Sequence, residues 1–411
     1  MSTATPPQAV DLTDVDLFVD QRHYELLSWL RANDPVYWNP SEQGGFWALT
    51  RYDDIAAAYV DHASFSSAGG PMLGGSFQSG ETDTAANRML VASDPPRHRL
   101  LRQVVHKAFG PDYVAAVVEQ VTVLVAAAVD RALAAGGCDV ATDIAPELPA
   151  GALMAMMGLS HTQAHELIAM TRRMIGFRDP SWVDTEGDER LRLAVLQADL
   201  FEFFADILRD RRRNPGSDLV SLLATADVNG RRLPEEDILY NCVNVAVGGN
   251  ETSSYTAAAG VLALIENPAE HRRLSEDPDL MDGAVNEMLR WATTNAYVLR
   301  VAVRDVAVGA KLIRAGEPVT LWNVSANRDE RRFADPDEFR VTRSPNKHLT
   351  YGVGIHRCVG SVVAQAELSI LFRELIDSRV RFALAGPVTR LRSNFIQGIA
   401  GLPVELTGVT R

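Results

Sequence analysis

The chain is poor in cysteine, in lysine and in long apolar runs. Three cysteines, Cys138, Cys242 and Cys358, are too few and too scattered for a disulfide framework or a four-thiolate zinc site. The longest strictly apolar run, 123–129, falls far short of the roughly 20 residues that a bilayer span requires. Positive charge is also scarce. Lysine occurs only at 107, 311 and 347, and 40 Lys+Arg face 53 Asp+Glu, for a net charge of −13. That balance excludes a nucleic-acid binder, which needs a basic face to replace phosphate counterions. Residues 1–10 lack the basic start and apolar core of a signal peptide, so 1–20 reads as a flexible tail. These absences predict a cytoplasmic protein that partners neither nucleic acid nor membrane.

What is present is a hydrophobic fraction of 46% against 23% charged, the composition of a folded globular protein. Its 411 residues allow two or three domains at roughly 150 residues each. No linker or repeat divides them. The nearest candidate, the glycine-rich stretch 66–80, suits a mobile functional loop better than a boundary. Helical periodicity dominates. Leu193, Leu196, Leu200, Phe203, Phe204 and Ile207 share one face, Arg211 to Arg213 close that helix, and 113–133 carries a similar apolar stripe. Strand signals are few: 46–50, and 312–322 as a hairpin turning at Ala315-Gly316-Glu317. The expected class is mainly α with small β-sheets.

The longest helix is expected over 234–266, with Pro234 in its first turn and Asn267-Pro268 as its stop. Near its middle stand Gly248 and Gly249, followed by Asn250, Glu251 and Thr252. Two interior glycines cost about 2 kcal/mol of helix propensity. They serve either close helix packing or a ligand pressed against a helix whose hydrogen-bond ladder opens there. The most informative segment is 348–360, HLTYGVGIHRCVG. Gly352, Gly354 and Gly360 bracket Cys358, and a helical pattern starts directly after it. A thiol there sits at a helix N-terminus, where the dipole favours thiolate. A lone cysteine is otherwise a small buried hydrophobe; the glycine spacing and helix start favour the chemical reading.

Segment 348–360 resembles the haem-ligand loop of the cytochrome P450 family, Phe-Gly-x-Gly-x-His/Arg-x-Cys-x-Gly, departing only at Tyr351. The rest of the chain is similar in the family's order over roughly 24–405. Glu287 and Arg290 resemble its Glu-x-x-Arg pair, which locks onto a downstream arginine, here Arg343, in a structural role. Ala326-Asn327-Arg328-Asp329, Arg51-Tyr52-Asp53-Asp54 and Phe65-Ser66-Ser67 match further landmarks. The resemblance implies one domain over 21–411, a monomer, with haem b held between the long central helix and the cysteine-ligand helix. Cys358 is then the axial thiolate and metal ligand. Tyr351, Gly352, His356 and Gly360 belong to its loop, and His98, Arg102, Arg300 and His348 bind the propionates. Gly248-Gly249-Asn250-Glu251-Thr252-Ser253 resembles the oxygen-activation motif: the glycines make room for O2, Thr252 hydrogen-bonds it and Glu251 relays protons.

The family commonly has a proline shortly after Arg290, and here Trp291-Ala292-Thr293-Thr294-Asn295 has none. That segment faces substrate in the family, so its polarity implies an unusual wall. Other expected walls are 66–93 with Met89 and Leu90, 168–177, Asn244 and Val245, Gly248, Thr294 and Asn295, Val298 and Leu299, and 394–399 with Phe395 and Ile396. Their mix of apolar residues with Asn and Gln suits a fairly large, partly oxygenated molecule. No second domain carries flavin or iron–sulfur, so electrons from NAD(P)H are expected through a ferredoxin or flavodoxin and its reductase. Arg97, His98, Arg99, Arg102, His106 and Lys107 offer a basic docking stretch, or ordinary helix-surface charge. The expected activity is monooxygenation of a small organic substrate, by hydroxylation or epoxidation, in bacterial secondary metabolism. Two alternatives stay open: oxidative coupling, desaturation or cyclisation on the same fold, including on a carrier-bound substrate, and a non-catalytic haem sensor or recruitment protein.

Overall fold

A computed structural model describes residues 10–41, 44–74, 78–79, 82–228 and 230–408. Residues 1–9 of the expected tail, and 75–77 and 80 of the glycine-rich loop, lie outside the described residues. The main core is made of helices. Val117, Val121, Val125 and Val129 form a fully buried ridge at four-residue steps along Pro111–Ala135. That ridge packs against Glu147–Met157 and Ser361–Asp377. A methyl group on Gly151 would meet Val121 Cγ2 at 2.7 Å, so glycine sets the closeness of the first pair. By length and composition Pro111–Ala135 is also apolar enough to cross a membrane; here its valine ridge is part of the core.

The longest helix is Glu235–Glu266, and nearly its whole circumference is buried among the helices around it. Pro234 caps it from outside rather than standing in its first turn, with ψ of 149°. Asn267 ends it as expected, and Pro268 opens the next helix. The helix Glu189–Arg213 buries Leu193, Leu196, Leu200, Phe204 and Ile207, and stops at Asn214.

The largest sheet has five strands in the order Val36–Asn39, Phe46–Leu49, Pro318–Leu321, Val298–Ala302 and Phe65–Ser66. Its register sets Val319 against Arg300, which carries that arginine into the interior. The hairpin expected over 312–322 does not form. Lys311–Ile313 pairs with Val306–Val308, whereas Pro318–Leu321 joins the five-stranded sheet. The turn is where expected, with Gly316 at φ +90°, but it hands the chain from one sheet to another. Turn chemistry reports a reversal of direction and carries no information on pairing partners.

The expected flexible tail also needs shortening. From Val10 onward the chain is packed: Leu12 and Phe18 are buried, and Asp16–Val19 is helical. The Leu12 N–H donates to Asn39 Oδ1 at 2.8 Å, and Asn394 Nδ2 donates to the Leu12 carbonyl at 2.9 Å. Two apolar anchors and these distant polar partners hold a segment whose own composition carries no order.

Candidate active site

The segment 348–360 folds as a tight loop against the helix Tyr52–Val60. Gly352 and Gly354 adopt φ of +61° and +75°, and a methyl group on Gly354 would meet the Tyr59 carbonyl at 2.9 Å. The Cys358 N–H donates to the Tyr351 carbonyl at 2.8 Å. The helix starts at Ser361 with Gly360 as its cap, so Cys358 precedes its first turn rather than sitting in it. Cys358 is exposed and lines a cavity of about 380 Å³. Burial pushes its pKa up, while the Gly360 N–H, Arg102 and Arg357 pull the other way. A metal ion at the open side is what turns such a thiol into thiolate.

The long helix forms the cavity's facing wall. Gly248, Gly249, Asn250, Thr252, Ser253 and Thr256 line it. A methyl group on Gly249 would touch nothing within 4 Å, and one on Gly248 only Asn244 Nδ2 at 4.0 Å. The glycines therefore open space and do not seat a neighbouring helix. The ladder does not open, however. The α-helix runs unbroken through both glycines, and room comes from absent side chains. Thr252 Oγ1 donates back to the Gly248 carbonyl at 2.8 Å.

Glu251 faces the other way. It is buried and does not line the cavity. Its carboxylate takes a hydrogen bond from Arg172 Nε at 3.3 Å and one from Thr171 Oγ1 at 3.3 Å. Burial raises its pKa despite Arg172. Nothing in the sequence pairs residues 172 and 251; only the packing of His161–Ile175 on the long helix does. A second carboxyl group escaped sequence reasoning. Glu367, on the helix after Cys358, lines the cavity, accepts from Ser253 Oγ at 2.5 Å, and is raised by burial to about 7.

Two arginines and two imidazoles gather beside the cavity: Arg102, Arg300 and His356 line it, and His98 packs on His356. Arg300 is buried, its guanidinium lies 5.5 Å from the Tyr59 ring centroid, and Nη1 reaches only the Leu299 carbonyl, at 2.7 Å. Arg102 Nη2 donates to the Arg357 carbonyl at 2.8 Å. Among the described residues neither arginine has a carboxylate partner. His98 and His356 stack at 4.2 Å, and Nε2 of each is buried without a hydrogen bond. Burial, with the nearby arginines, lowers His98 to about 4 and His356 to about 2. His348 is not among them. It lies behind the loop, where Nε2 contacts Asn286 Oδ1 at 3.4 Å and its ring neighbours Tyr351. The expectation that it binds a propionate is corrected, because the loop turns between 348 and 356.

The expected staple is assembled. Arg290 donates from Nε and Nη2 to Glu287, each at 2.8 Å, and both side chains are fully buried. Arg343 Nε bonds both Glu287 oxygens at 3.1 Å, and its other nitrogens reach the carbonyls of Ala334, Asp335 and Glu338. Beyond it, the proline-free segment uses its polar side chains internally. Thr294 Oγ1 lies 2.9 Å from Thr256 Oγ1, and Asn295 Oδ1 accepts from Asn323 Nδ2 at 3.2 Å. Asn244 behaves alike, its Oδ1 accepting from the Val91 N–H at 3.1 Å.

Met89, Leu90, Asn244, Val245, Thr294, Asn295, Val298, Phe395 and Ile396 all line the cavity; Leu299 does not, since alternation along its strand turns it away. Met72 and Met174 line it from the expected walls 66–93 and 168–177, and Met156 and Met157 join from Glu147–Met157, a helix that sequence reading had not singled out.

These residues fit a haem. Two partnerless arginines and two imidazoles with orphaned Nε2 atoms suit a pair of carboxylates. Cys358 offers the iron donor, and the glycine face leaves a flat clearance. A cytochrome P450 family profile matches residues 20–384. The chain is 33% identical over 404 residues to linalool 8-monooxygenase of Pseudomonas putida, covering 96% of this chain and 98% of that protein. It also resembles the structure of CYP268A2 of Mycobacterium marinum in complex with pseudoionone, with a TM-score of 0.88, 31% identity, and coverage of 98% and 100%. P450 OxyD, involved in the biosynthesis of vancomycin-type antibiotics, gives 0.86 and 33%, with coverage of 97% and 100%. With a thiol, a glycine-faced helix and unpaired cations around one cavity, and with relatives matched nearly end to end, the chain belongs to the cytochrome P450 family of haem-thiolate monooxygenases.

Proposed function

We propose that this protein hydroxylates or epoxidises a small, mostly apolar organic molecule in bacterial secondary metabolism. The observation that carries the proposal is the placement of the Cys358 thiol and the Thr252 hydroxyl in one cavity. Cys358 would hold the iron, and Arg102, Arg300, His98 and His356 the propionates. Bound there, the haem supplies oxygen activation, with thiolate donation favouring O–O cleavage. The protein's own task is proton supply and positioning. Thr252 donates to oxygen by turning its proton away from the Gly248 carbonyl. Glu251, whose pKa burial raises, stands next to Thr252 in sequence and would relay protons by swinging from Arg172 toward the cavity. A haem sensor has no use for such a buried acid beside an alcohol.

The substrate reading shifts with the geometry. The wall is largely Met, Leu, Val and Phe, and the asparagines expected to greet an oxygenated substrate are engaged with the protein itself. A ligand with few polar atoms therefore suits the cavity best. Electrons would come from NAD(P)H through an external ferredoxin or flavodoxin in the cytoplasm. The basic stretch is smaller than its sequence suggests. Arg97 is paired with Asp237, His98 is buried against His356 and Arg102 lines the cavity, which leaves Arg99, His106 and Lys107 exposed. These three would meet an acidic partner.

The test is spectroscopic. The reduced, CO-bound protein is expected to show the red-shifted Soret band of thiolate ligation, and Cys358→Ala to lose it. Titration with a panel that includes linalool and pseudoionone is expected to displace water from the iron for apolar members first. A wild-type protein without the shifted band, or one that answers only to polar ligands, would overturn the reading.

A further inference from the structure

Glu147, His161 and His165, none of which lines the cavity, bring three metal-type donor atoms together. Glu147 is the first residue of Glu147–Met157; His161 and His165 stand one turn apart on His161–Ile175. Glu147 Oε2 lies 2.9 Å from His161 Nε2 and 3.5 Å from His165 Nε2, and the two Nε2 atoms are 3.2 Å apart. Three donors held about 2.0–2.1 Å from a tetrahedral ion are separated by about 3.3 Å. The observed triangle has that size.

Protons alone bridge at most two of this triangle's three contacts. A neutral imidazole presents either a proton or a lone pair at Nε2, and an ionised carboxylate only accepts. A proton on His161 alone leaves His165 and Glu147 facing as two acceptors. A proton on His165 alone leaves His161 and Glu147 so, at 2.9 Å. Protons on both let each ring donate to Glu147 Oε2 and leave the 3.2 Å nitrogen–nitrogen contact unbridged. A cation at the centre satisfies all three contacts at once. Arg131 Nη2 stands 3.8 Å from the other oxygen, Oε1, which leaves Oε2 to face the histidines. The side chains of His161 and His165 are 47% and 36% exposed, so water has access to a fourth position.

We propose that Glu147, His161 and His165 form a binding site for a late first-row divalent cation of the zinc type. Two imidazoles and one carboxylate suit that class over magnesium or calcium, which prefer all-oxygen sets. Arg131 and the positive ends of the two helices oppose a cation, so the donor set has to carry the affinity. The bound ion ties the starts of two helices whose far parts line the cavity through Leu153, Met156 and Met174 and hold Glu251 through Arg172.

The experiment uses untagged, haem-loaded protein, stripped with a chelator, titrated with zinc and desalted, with zinc counted against haem iron by elemental analysis. One zinc per haem is expected, together with a rise in melting temperature on zinc addition. His161→Ala and His165→Ala should each weaken zinc binding at least about ten-fold, and the double variant should lose both the zinc and the thermal shift. Both imidazoles are solvent-accessible, so folding is not at stake, and an unchanged CO-bound spectrum checks it. Glu147→Gln, which keeps the shape, should also weaken binding. His62→Ala and His106→Ala should not. A wild-type protein that retains no zinc, or a double variant that retains as much as wild type, overturns the site.

Discussion

Thr252 is held by its own helix, its hydroxyl turned back onto the Gly248 carbonyl while the side chain lines the cavity. In Thr252→Ala, NAD(P)H consumption is expected to continue while product falls at least about ten-fold, consistent with loss of one positioned proton donor, and peroxide accumulates. A variant that stays tightly coupled would remove Thr252 from the proton route. Glu367 makes a second residue-scale case. Its pKa rises from 4.5 to about 7, with burial as the leading cause. The folded chain therefore holds this proton where the unfolded chain has released it, and stability present below pH 4.5 is lost as pH rises through 7. The loss amounts to roughly 3 kcal/mol at most. Glu367→Gln keeps an acceptor for Ser253 and is expected to melt above wild type at pH 8 but not at pH 5. Equal differences at both pH values would contradict the assignment.

Elements are joined here by polar staples as much as by apolar faces. Glu287 and Arg290 share one turn of Met281–Ala292, and Arg343 arrives from 53 residues beyond Arg290 to complete the cluster. Arg343→Ala leaves Glu287 short of a partner and strips bonds from the carbonyls of Ala334, Asp335 and Glu338. Removing one member of such a buried cluster costs about 3 kcal/mol. Urea unfolding is expected to shift accordingly, and haem content after purification to fall, since this segment leads into the 348–360 loop. A variant with wild-type unfolding would show the staple to be idle. At this scale the sequence was readable where the signal is local. The helix Glu189–Arg213 and the stop at Asn267 follow from periodicity and breakers. The hairpin failed because each strand beside Gly316 found a partner in a different sheet.

The whole molecule is built around buried cations and neutral imidazoles that await carboxylates. His98 and His356, held at about 4 and about 2 chiefly by burial, ionise in the unfolded chain near 6.5. As pH falls below 6.5 the unfolded state binds more protons, so the haem-free protein loses stability toward acid. Bound carboxylates would raise both pKa values and remove part of that loss. The difference in melting temperature between haem-loaded and haem-free protein is therefore expected to widen from pH 7.5 to pH 5.5. A constant difference in paired thermal melts would place the carboxylates elsewhere. Cys358 between its glycines, Gly248 and Gly249 before Thr252, and the pair Glu287 and Arg290 were legible in the sequence, because each is a short-range pattern tied to a specific chemistry. The tertiary structure alone decided that Glu251 lies against Arg172, that Glu367 meets Ser253 and that His356 rather than His348 joins Arg300. It alone decided, too, that most of the polar wall residues bind the protein instead of a ligand. Those outcomes depend on which helices and strands pack together, and partners 79 to 114 residues apart leave no periodic trace along the chain.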